Sequence, residues 1–357
     1  MLAPSPKITS GSKEYFKSLA DHCAQYKGAD TRRSILQAVI TMTLFFASVS
    51  AMYGAVVTGA WWLYALLMVP TAGLLVRVFI IQHDCGHGSY FNNRKANDWV
   101  GRTLSLFTVT PYSFWRRTHN MHHASSGNLD KRGYGGIETI TVAEYQSMSL
   151  ARQKMYRFYR NVYALLGFGT PFFTLVIQRF VVTEPFLPEF SVKGSLKNSW
   201  KSIYSLNVAL LLFYGTLGYF IGYATLAIVY LPVVIMTAWM GGWLFYIQHQ
   251  FEDTYWDRQK EWNYNEAAIM SSSYYDLPKI VQWFSGNIGL HHIHHLNATI
   301  PNYKLQECLD AHPDLPRINH LTFKESLQTV KLALWDEAQR KLITFKEFDR
   351  VHAIPAA

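Results

Sequence analysis

Cysteine and charged residues are both scarce in this chain of 357 residues. Its three cysteines, Cys23, Cys85 and Cys308, lie far apart and form no CxxC pair, so the sequence implies neither a disulfide framework nor a thiolate zinc site. We therefore expect reduced thiols. Charged residues make up only 16% of the chain and hydrophobic residues 50%, a composition that excludes disorder for most of it. The sequence also contains no P-loop and no GxGxxG motif.

The apolar residues are concentrated in two blocks, 34–82 and 202–250, that are almost free of charge. A membrane span needs about 20 consecutive apolar residues, so each block is long enough for two spans. Short breaks at 58–60 and 222–224 divide them. We predict an all-α polytopic membrane protein with four transmembrane helices arranged as two hairpins. The net charge of +9 then indicates contact with an anionic membrane surface and not with nucleic acid.

The distribution of Lys and Arg predicts the topology. The hairpin tips contain neither residue, whereas the flanking segments are rich in both. The positive-inside rule places the N-terminal segment 1–33, the central segment 83–201 and the C-terminal segment 251–357 in the cytoplasm, the last two as the parts of a helical cap. Segment 1–33 has no short apolar run typical of a cleavable signal peptide, so the first span is expected to act as the targeting signal.

Three further expectations concern the membrane boundary. Arg77, near the inner end of the second span, is expected to extend its side chain to the interface. Segment 162–177 is apolar but only about 16 residues long and contains Gly and Pro, which favours an interfacial or re-entrant position over a full span. Segment 99–115 mixes aromatic residues with arginine and is also predicted to be interfacial.

Histidines form three clusters with helical spacing, HDCGH at 83–87, HNMHH at 119–123 and HHIHH at 291–295. Residues at i, i+3 and i+4 share one face of a helix, so each cluster directs two or three imidazoles to one place. His249 lies at the predicted inner end of the fourth span, on the same side of the membrane. The candidate metal-binding and catalytic residues are His83, His87, His119, His122, His123, His249, His291, His294 and His295.

Nine imidazoles are too many for one metal ion but suit two ions with four or five ligands each. His292 interrupts the spacing, and its side chain would point about 100° away from its neighbour, so we predict that it is not a ligand. Asp84 is expected to accept the second ring N–H of a ligating histidine, although an ordinary carboxylate at a helix end is the alternative. The isolated His22, His312, His320 and His352 are expected to be structural.

The position of the clusters indicates the chemistry. They adjoin apolar hairpins, where the available substrate is a lipid acyl chain, and oxidation of an unactivated C–H bond requires a cofactor. Iron with dioxygen supplies that oxidising power. A transporter or metal-handling protein is a rival, but transporters place polar sites near the bilayer midplane within broken helices. The clusters here lie at or beyond the ends of the predicted spans.

The residues around all three clusters resemble those of the membrane fatty acid desaturases. Segments HDCGHGSYF at 83–91, WRRTHNMHHASSGNLD at 115–130 and GLHHIHHLNATIP at 289–301 are similar in particular to the acyl-lipid ω-6 (Δ12) group. The resemblance implies a centre of two non-haem iron ions held by the cluster histidines together with His249. It also implies O₂-dependent removal of two hydrogens from a fatty acyl chain, which forms a cis double bond.

The same resemblance narrows the class. Front-end desaturases usually carry Gln where this chain has His291, and many contain a fused cytochrome b5 domain with an HPGG motif, which this sequence lacks. Its electrons would then come from a separate ferredoxin or cytochrome b5. His292 stands where the ω-6 group commonly has an apolar residue. Sister enzymes with the same centre, such as alkane or carotenoid hydroxylases and sphingolipid desaturases, remain the alternative.

The predicted cap offers two further features. The acyl chain is expected to enter a narrow apolar tunnel whose depth relative to the irons selects the bond to be oxidised. A basic surface of Arg116, Arg117, Lys131 and Arg132 could bind anionic headgroups or an acidic electron donor. An ordinary solvated cytoplasmic face explains these charges equally well.

Overall fold

A computed structural model describes residues 12–352, except residue 134 and residues 183–197. Of segment 1–33, only the part from residue 12 onwards can be compared with the expectations. The expectation for the side chain of His352 also lies outside the described residues.

Helices dominate the described chain. They are α1 (Lys13–Ala24), α2 (Thr31–Val57), α3 (Trp61–His87), α4 (Arg94–Thr108), α5 (Tyr112–Ser125), α6 (Val142–Ser147), α7 (Leu150–Tyr159), α8 (Thr170–Leu175), α9 (Ser199–Ile221), α10 (Tyr223–His249), α11 (Tyr264–Met270), α12 (Lys279–Phe284), α13 (His291–Leu296), α14 (Leu305–Asp310), α15 (Phe323–Thr329) and α16 (Phe345–His352). The strands are β1 (Ile140–Thr141), β2 (Tyr274–Asp276), β3 (His320–Thr322), β4 (Leu332–Asp336) and β5 (Lys341–Thr344).

Four helices, α2, α3, α9 and α10, are long and apolar enough to cross a membrane, which confirms the prediction of two hairpins. The first hairpin turns at residues 58–60, and the second turns at Gly222, whose positive φ of 87° favours glycine. Aromatic side chains at both tips are exposed, including Trp62 and Tyr219. Such rings prefer the boundary between lipid and water.

Helix α3 continues beyond the predicted end of its span at residue 82 and includes the first histidine cluster. Nothing in HDCGH interrupts the helix until Gly88, which adopts a left-handed conformation with φ of 74° and ends it. The second half of the helix is enclosed by protein, since every residue from Thr71 to Val78 is buried. His83 and His87 therefore sit on the last turns of a candidate membrane span.

The structure contradicts the expectation that Arg77 extends to the interface. Its side chain is only 8% exposed. Its Nε donates a hydrogen bond to Thr41 Oγ1 at 3.1 Å, and its Nη1 donates to the backbone carbonyl of Trp283. The guanidinium also lies 4.2 Å from the centre of the Trp283 ring. Partners inside the protein, which the sequence pattern did not reveal, satisfy this cation.

Shorter elements pack together outside the four long helices. The sequence did not predict their two small sheets, one with strand order β1-β4-β5 and one in which β2 pairs in parallel with β3. Helix α1 packs on α11 and α13 through Phe16, Leu19 and Cys23. The Cys23 and Cys308 sulfurs lie 3.6 Å apart, and all three cysteines are free, as expected.

The apolar segment 162–177 forms a π-helical stretch, Tyr163–Gly169, followed by α8. It meets α7 at a bend of 55°. Both parts pack against α10, where Trp239 Nε1 donates to the Gly167 carbonyl at 2.6 Å. Such a bent pair is typical of a broken span or a re-entrant loop, and the interfacial or re-entrant position of this segment stays a prediction.

Candidate metal centre

Four elements bring the predicted histidines together. The first cluster lies at the end of α3, the second in α5 and the third at the start of α13, while His249 is the last residue of α10. Helices α3 and α5 pack directly against each other, as do α3 and α10. Residues separated by as many as 212 positions along the chain thereby converge at one end of the hairpins.

The nine imidazoles form two groups, within each of which one ligand atom per residue lies within 4.8 Å of all the others. The five-histidine group consists of His83, His87, His119, His123 and His294. The four-histidine group consists of His122, His249, His291 and His295. This division corresponds to the predicted arrangement of two ions with four or five ligands each.

Ring Nε2 atoms face one another inside each group. In the five-histidine group, His119 Nε2 lies 3.0 Å from His83 Nε2 and 3.1 Å from His123 Nε2. In the four-histidine group, His249 Nε2 lies 3.0 Å from the Nε2 atoms of both His122 and His291. Consecutive residues of one cluster serve different groups, since His122 and His123 are separated between them.

Two histidines are oriented by acceptors on the opposite side of the ring. His83 Nδ1 lies 3.1 Å from Asp84 Oδ1, and His249 Nδ1 lies 2.9 Å from the Ser271 carbonyl. Because a carboxylate and a carbonyl only accept hydrogen bonds, each Nδ1 must donate. The lone pair of a neutral ring then resides on Nε2 and points into its group.

Asn302 and Gln37 extend the contact between His83 and Asp84. Nothing in the sequence pattern indicated either residue. Asn302 donates to Asp84 Oδ2 twice, from its backbone N–H at 2.7 Å and from Nδ2 at 2.8 Å. Gln37 Nε2, on α2, donates to Asn302 Oδ1 at 2.8 Å. No spacing rule connects these residues, because they meet only in the folded chain.

Burial favours the neutral form of the imidazoles in the two groups. The pKa of His119, His123 and His294 lies well below its usual range. The larger cause is the loss of hydration on burial, and the smaller is repulsion from the positive charge that neighbouring histidines would carry. The same causes lower the pKa of His291 and His295. Neutral imidazole is the form that binds a metal ion, because protonation occupies the ligand lone pair.

The donor set passes a test of fit for two metal ions. Among the described residues, both ring nitrogens of His295 and Nε2 of His87 are buried without a hydrogen-bond partner. A buried polar atom without a partner is costly. Coordination would satisfy Nε2 of His87 and one of the two nitrogens of His295, and imidazole nitrogen is an accepted ligand for iron. His87 belongs to the five-histidine group and His295 to the four-histidine group, so each group contains a buried nitrogen that a metal ion would satisfy.

His292 belongs to neither group. Its Nε2 lies 3.0 Å from the Leu315 carbonyl, and its ring stacks on Tyr274 with 5.7 Å between centroids. Burial lowers the pKa of His292 to about 4. The ring therefore fills a place in the core behind α13, an arrangement compatible with the prediction that it is not a ligand.

A pocket lies beside the four-histidine group and is bordered by His122, His249, Glu138, Trp256 and Ser271. The neighbouring residue Gly135 adopts a φ of 81°, and a Cβ at this position would lie 2.5 Å from the Thr118 carbonyl. Only glycine allows the loop to approach α5 this closely.

The predicted basic surface is partly neutralised within the protein. The side chain of Arg132 is only 8% exposed, and its guanidinium donates to both carboxylate oxygens of Glu144, at 2.6 and 2.8 Å. Arg116 pairs with Asp98. Both arginines therefore form ion pairs within the protein. The Glu144 pair makes Arg132 a poor candidate for either interpretation of this surface, as a binding site for an external anion or as a solvated face.

Comparison with known proteins identifies the family. The family model for fatty acid desaturase matches residues 59–326. The chain is 35% identical over 335 residues to a fatty acid desaturase of Bacillus subtilis, a match covering 94% of this chain and 92% of that protein. The chain belongs to the fatty acid desaturase family. It is accordingly an oxidoreductase that acts on acyl lipids, with membrane helices and histidine clusters of the expected kind.

More distant relatives in the desaturase family carry more specific names. An sn-1 oleoyl-lipid 12-desaturase of Anabaena variabilis is 24% identical over 311 residues, which cover 82% of this chain and 79% of that protein. An sn-1 acyl-lipid omega-3 desaturase (ferredoxin) of Synechocystis sp. is 24% identical over 286 residues, covering 76% and 75%. Both similarities extend over most of the chain.

Proposed function

We propose that this desaturase introduces a cis double bond into a lipid-linked acyl chain in an O₂-dependent reaction at two non-haem iron ions. The observation that carries the proposal is the division of nine buried imidazoles into groups of five and four next to four apolar helices. Neither a hydrolytic site nor a single-ion site would require this number of nitrogen donors.

The histidines and their neighbours have distinct tasks in this proposal. The nine imidazoles would hold the two ions, and when bound these ions would supply the oxidising power for the C–H bonds. Asp84 and the Ser271 carbonyl hold the Nδ1 protons of His83 and His249, so that each Nε2 remains free. Burial of the site excludes bulk water, which protects a reactive centre from side reactions.

Selectivity for the Δ12 or ω-6 position is part of the proposal. It is supported by the similarity of the three histidine clusters to the ω-6 group and by the relative named as a 12-desaturase. The relative named as an omega-3 desaturase has the same identity of 24%. The position of the double bond must therefore be measured directly.

We further propose a separate electron donor of the ferredoxin or cytochrome b5 type, on the cytoplasmic side. Relatives whose names specify ferredoxin support the first choice. The absence of Lys and Arg from both hairpin tips supports the cytoplasmic orientation of the histidine groups.

Expression in a host that lacks polyunsaturated lipids tests the proposal. We expect a new double bond, located by mass spectrometry at the Δ12 position, together with about two iron ions per purified chain. An alcohol as the product would favour the sister hydroxylases, and exchangeable zinc without iron would refute the proposal. A strain producing the inactive His122→Ala variant at the same level serves as the control.

A further inference from the structure

The segment before the third histidine cluster follows helix α3 deep into the helix bundle. At its far end, the Phe284 ring packs on Gly73, where a Cβ would lie only 2.9 Å from the ring. One residue earlier, the carbonyl of Trp283 accepts a hydrogen bond from Arg77. The C-terminal end of α12 therefore lies beside residues 73–77 of α3.

The chain then returns along the same helix towards the metal centre. A Cβ on Gly286 would lie 2.7 Å from Ile80 Cγ2, and Ile288 packs with Val76 and Ile80. The third histidine cluster follows directly, at the start of α13. Residues 279–290 thus descend along α3 and return, with Phe284 as the deepest of the contacts described.

The depth of this excursion follows from the geometry of α3. Gly73 precedes His83 by ten residues and follows Trp61 by twelve, which corresponds to roughly 15 Å and roughly 18 Å at 1.5 Å per residue. A bilayer has a hydrocarbon core about 30 Å thick. If Trp61 marks one boundary of that core, Phe284 lies roughly 12 Å inside the other.

Contacts between the long helices indicate the same depth. Thr237 Oγ1 donates to the Ala72 carbonyl at 3.2 Å, and Ser48 bonds to Thr71. Gly73 and Thr237 lie near the middle of α3 and α10, each 27 residues long. The Phe284 contact is therefore at the central level of the bundle and not at its end.

The outward face of α12 is apolar. Ile280 is 68% exposed, Val281 40% and Trp283 37%, while Lys279 occupies the N-terminal end. This surface belongs to an element that packs against the middle of a candidate membrane span. Lipid is the partner that such a surface fits.

We propose that residues 279–290 form a re-entrant membrane segment in which Ile280, Val281 and Trp283 contact lipid acyl chains and Arg77 caps the buried C-terminal end of α12. The inference rests on α3 spanning the membrane, as the proposed function requires. It assigns these residues to the membrane, whereas the distribution of Lys and Arg predicted that segment 251–357 lies wholly in the cytoplasmic cap.

The proposal also gives Arg77 a physical role. The last carbonyls of a helix lack partners within it. The Trp283 carbonyl accepts one hydrogen bond from the Gly286 backbone N–H at 3.3 Å, and the hydrocarbon core has no water to donate a second. Arg77 brings a donor and a positive charge to the C-terminal end of α12, which favours a cation. The contact with the Trp283 ring further stabilises the guanidinium.

Fluorescence quenching in reconstituted vesicles tests the depth. An environment-sensitive dye is attached to Ile280→Cys and, as a matched control, to Val351→Cys on α16, which is 72% exposed. The unsubstituted protein, whose three cysteines are buried, gives the background. We expect phosphatidylcholine with brominated acyl chains to quench the Ile280 label, and aqueous iodide to quench the Val351 label several-fold more strongly than the Ile280 label. Equal quenching of both labels by iodide would overturn the proposal.

A second comparison tests the cap. With Arg77→Met we expect the Ile280 label to lose a large part of its quenching by brominated lipid, whereas the exposed Arg102→Met should leave it unchanged. Unchanged quenching in Arg77→Met contradicts the capping role. None of these measurements requires iron or turnover, so a protein without two irons but with a lipid-embedded label would refute the proposed function and leave this inference intact.

Discussion

The contact between Asn302 and Asp84 allows one of the two metal groups to be weakened selectively. Asp84 Oδ2 accepts two hydrogen bonds from Asn302, and the Asn302→Leu substitution removes the one from Nδ2. The same substitution also removes the hydrogen bonds between Asn302 and Gln37. Leu keeps the branching and the number of heavy atoms of the Asn side chain, and the backbone N–H remains. Asp84 then holds His83 less firmly, and His83 belongs to the five-histidine group alone.

The expected magnitude follows from the chemistry of the lost bond. A hydrogen bond to a charged group contributes about 1.5–3 kcal/mol, and loss of an outer partner of a metal ligand typically lowers metal affinity about 10–100-fold. We therefore expect the five-histidine group of Asn302→Leu to bind Fe²⁺ about 10–100-fold more weakly, equivalent to about 1.4–2.7 kcal/mol. The four-histidine group should be unaffected, because none of its members contacts Asp84 in the described structure.

Anaerobic titration of the metal-free protein with Fe²⁺ measures this difference as a separation of two binding steps. Asn297→Leu is the matched control, because Asn297 follows the same histidine cluster but bonds to Thr299. Gln37→Leu should have a smaller effect, since Gln37 contacts only Asn302 in this network. Equal weakening of both steps, or no weakening of either, would show that Asn302 does not orient His83.

Three further predictions concern the histidines. We expect His87→Ala, His122→Ala and His295→Ala each to abolish desaturation and to lower the iron content measured by elemental analysis, and full activity would remove that residue from the ligand set. His292→Ala should retain partial or full activity with its iron, because the ring bonds to the Leu315 carbonyl. The melting temperature of the metal-free protein should fall as the pH is lowered from about 7 to 5. An imidazole in the unfolded chain has a pKa near 6.5, whereas burial lowers the pKa of His292 to about 4. The unfolded state therefore takes up a proton first, and the folded state loses stability relative to it. A flat profile would contradict this reasoning.

The nine histidines that the structure gathers into two groups could be picked out from the sequence because the spacing signal is local. An HxxxH or HxxHH spacing fixes which imidazoles share one helix face, whatever surrounds them. Hydropathy marked the end of a span at residue 82 but not the end of helix α3, which continues to His87. Periodicity also did not reveal the small sheets, since β1 has two residues and its partner β4 lies almost 200 positions away.

Whether a charged side chain is exposed or buried depended on partners that only the folded chain brings near it. Hydropathy and charge suggested that Arg77 reaches water, but the Trp283 carbonyl satisfies it inside the protein. Arg132 was expected on a basic surface, but Glu144 holds it in an internal ion pair. Both partners come from other elements, and no rule of spacing identifies them in advance.

The amino-acid sequence by itself determined the four long helices, the histidine faces and the membership of the desaturase family, because each depends on neighbouring residues or on a short motif. The tertiary structure alone decided which imidazole joins which group, how Asp84, Asn302 and Gln37 support His83, and how deeply α12 follows α3. These features depend on contacts between segments far apart in the chain, and packing in three dimensions selects such contacts only after the local elements have formed.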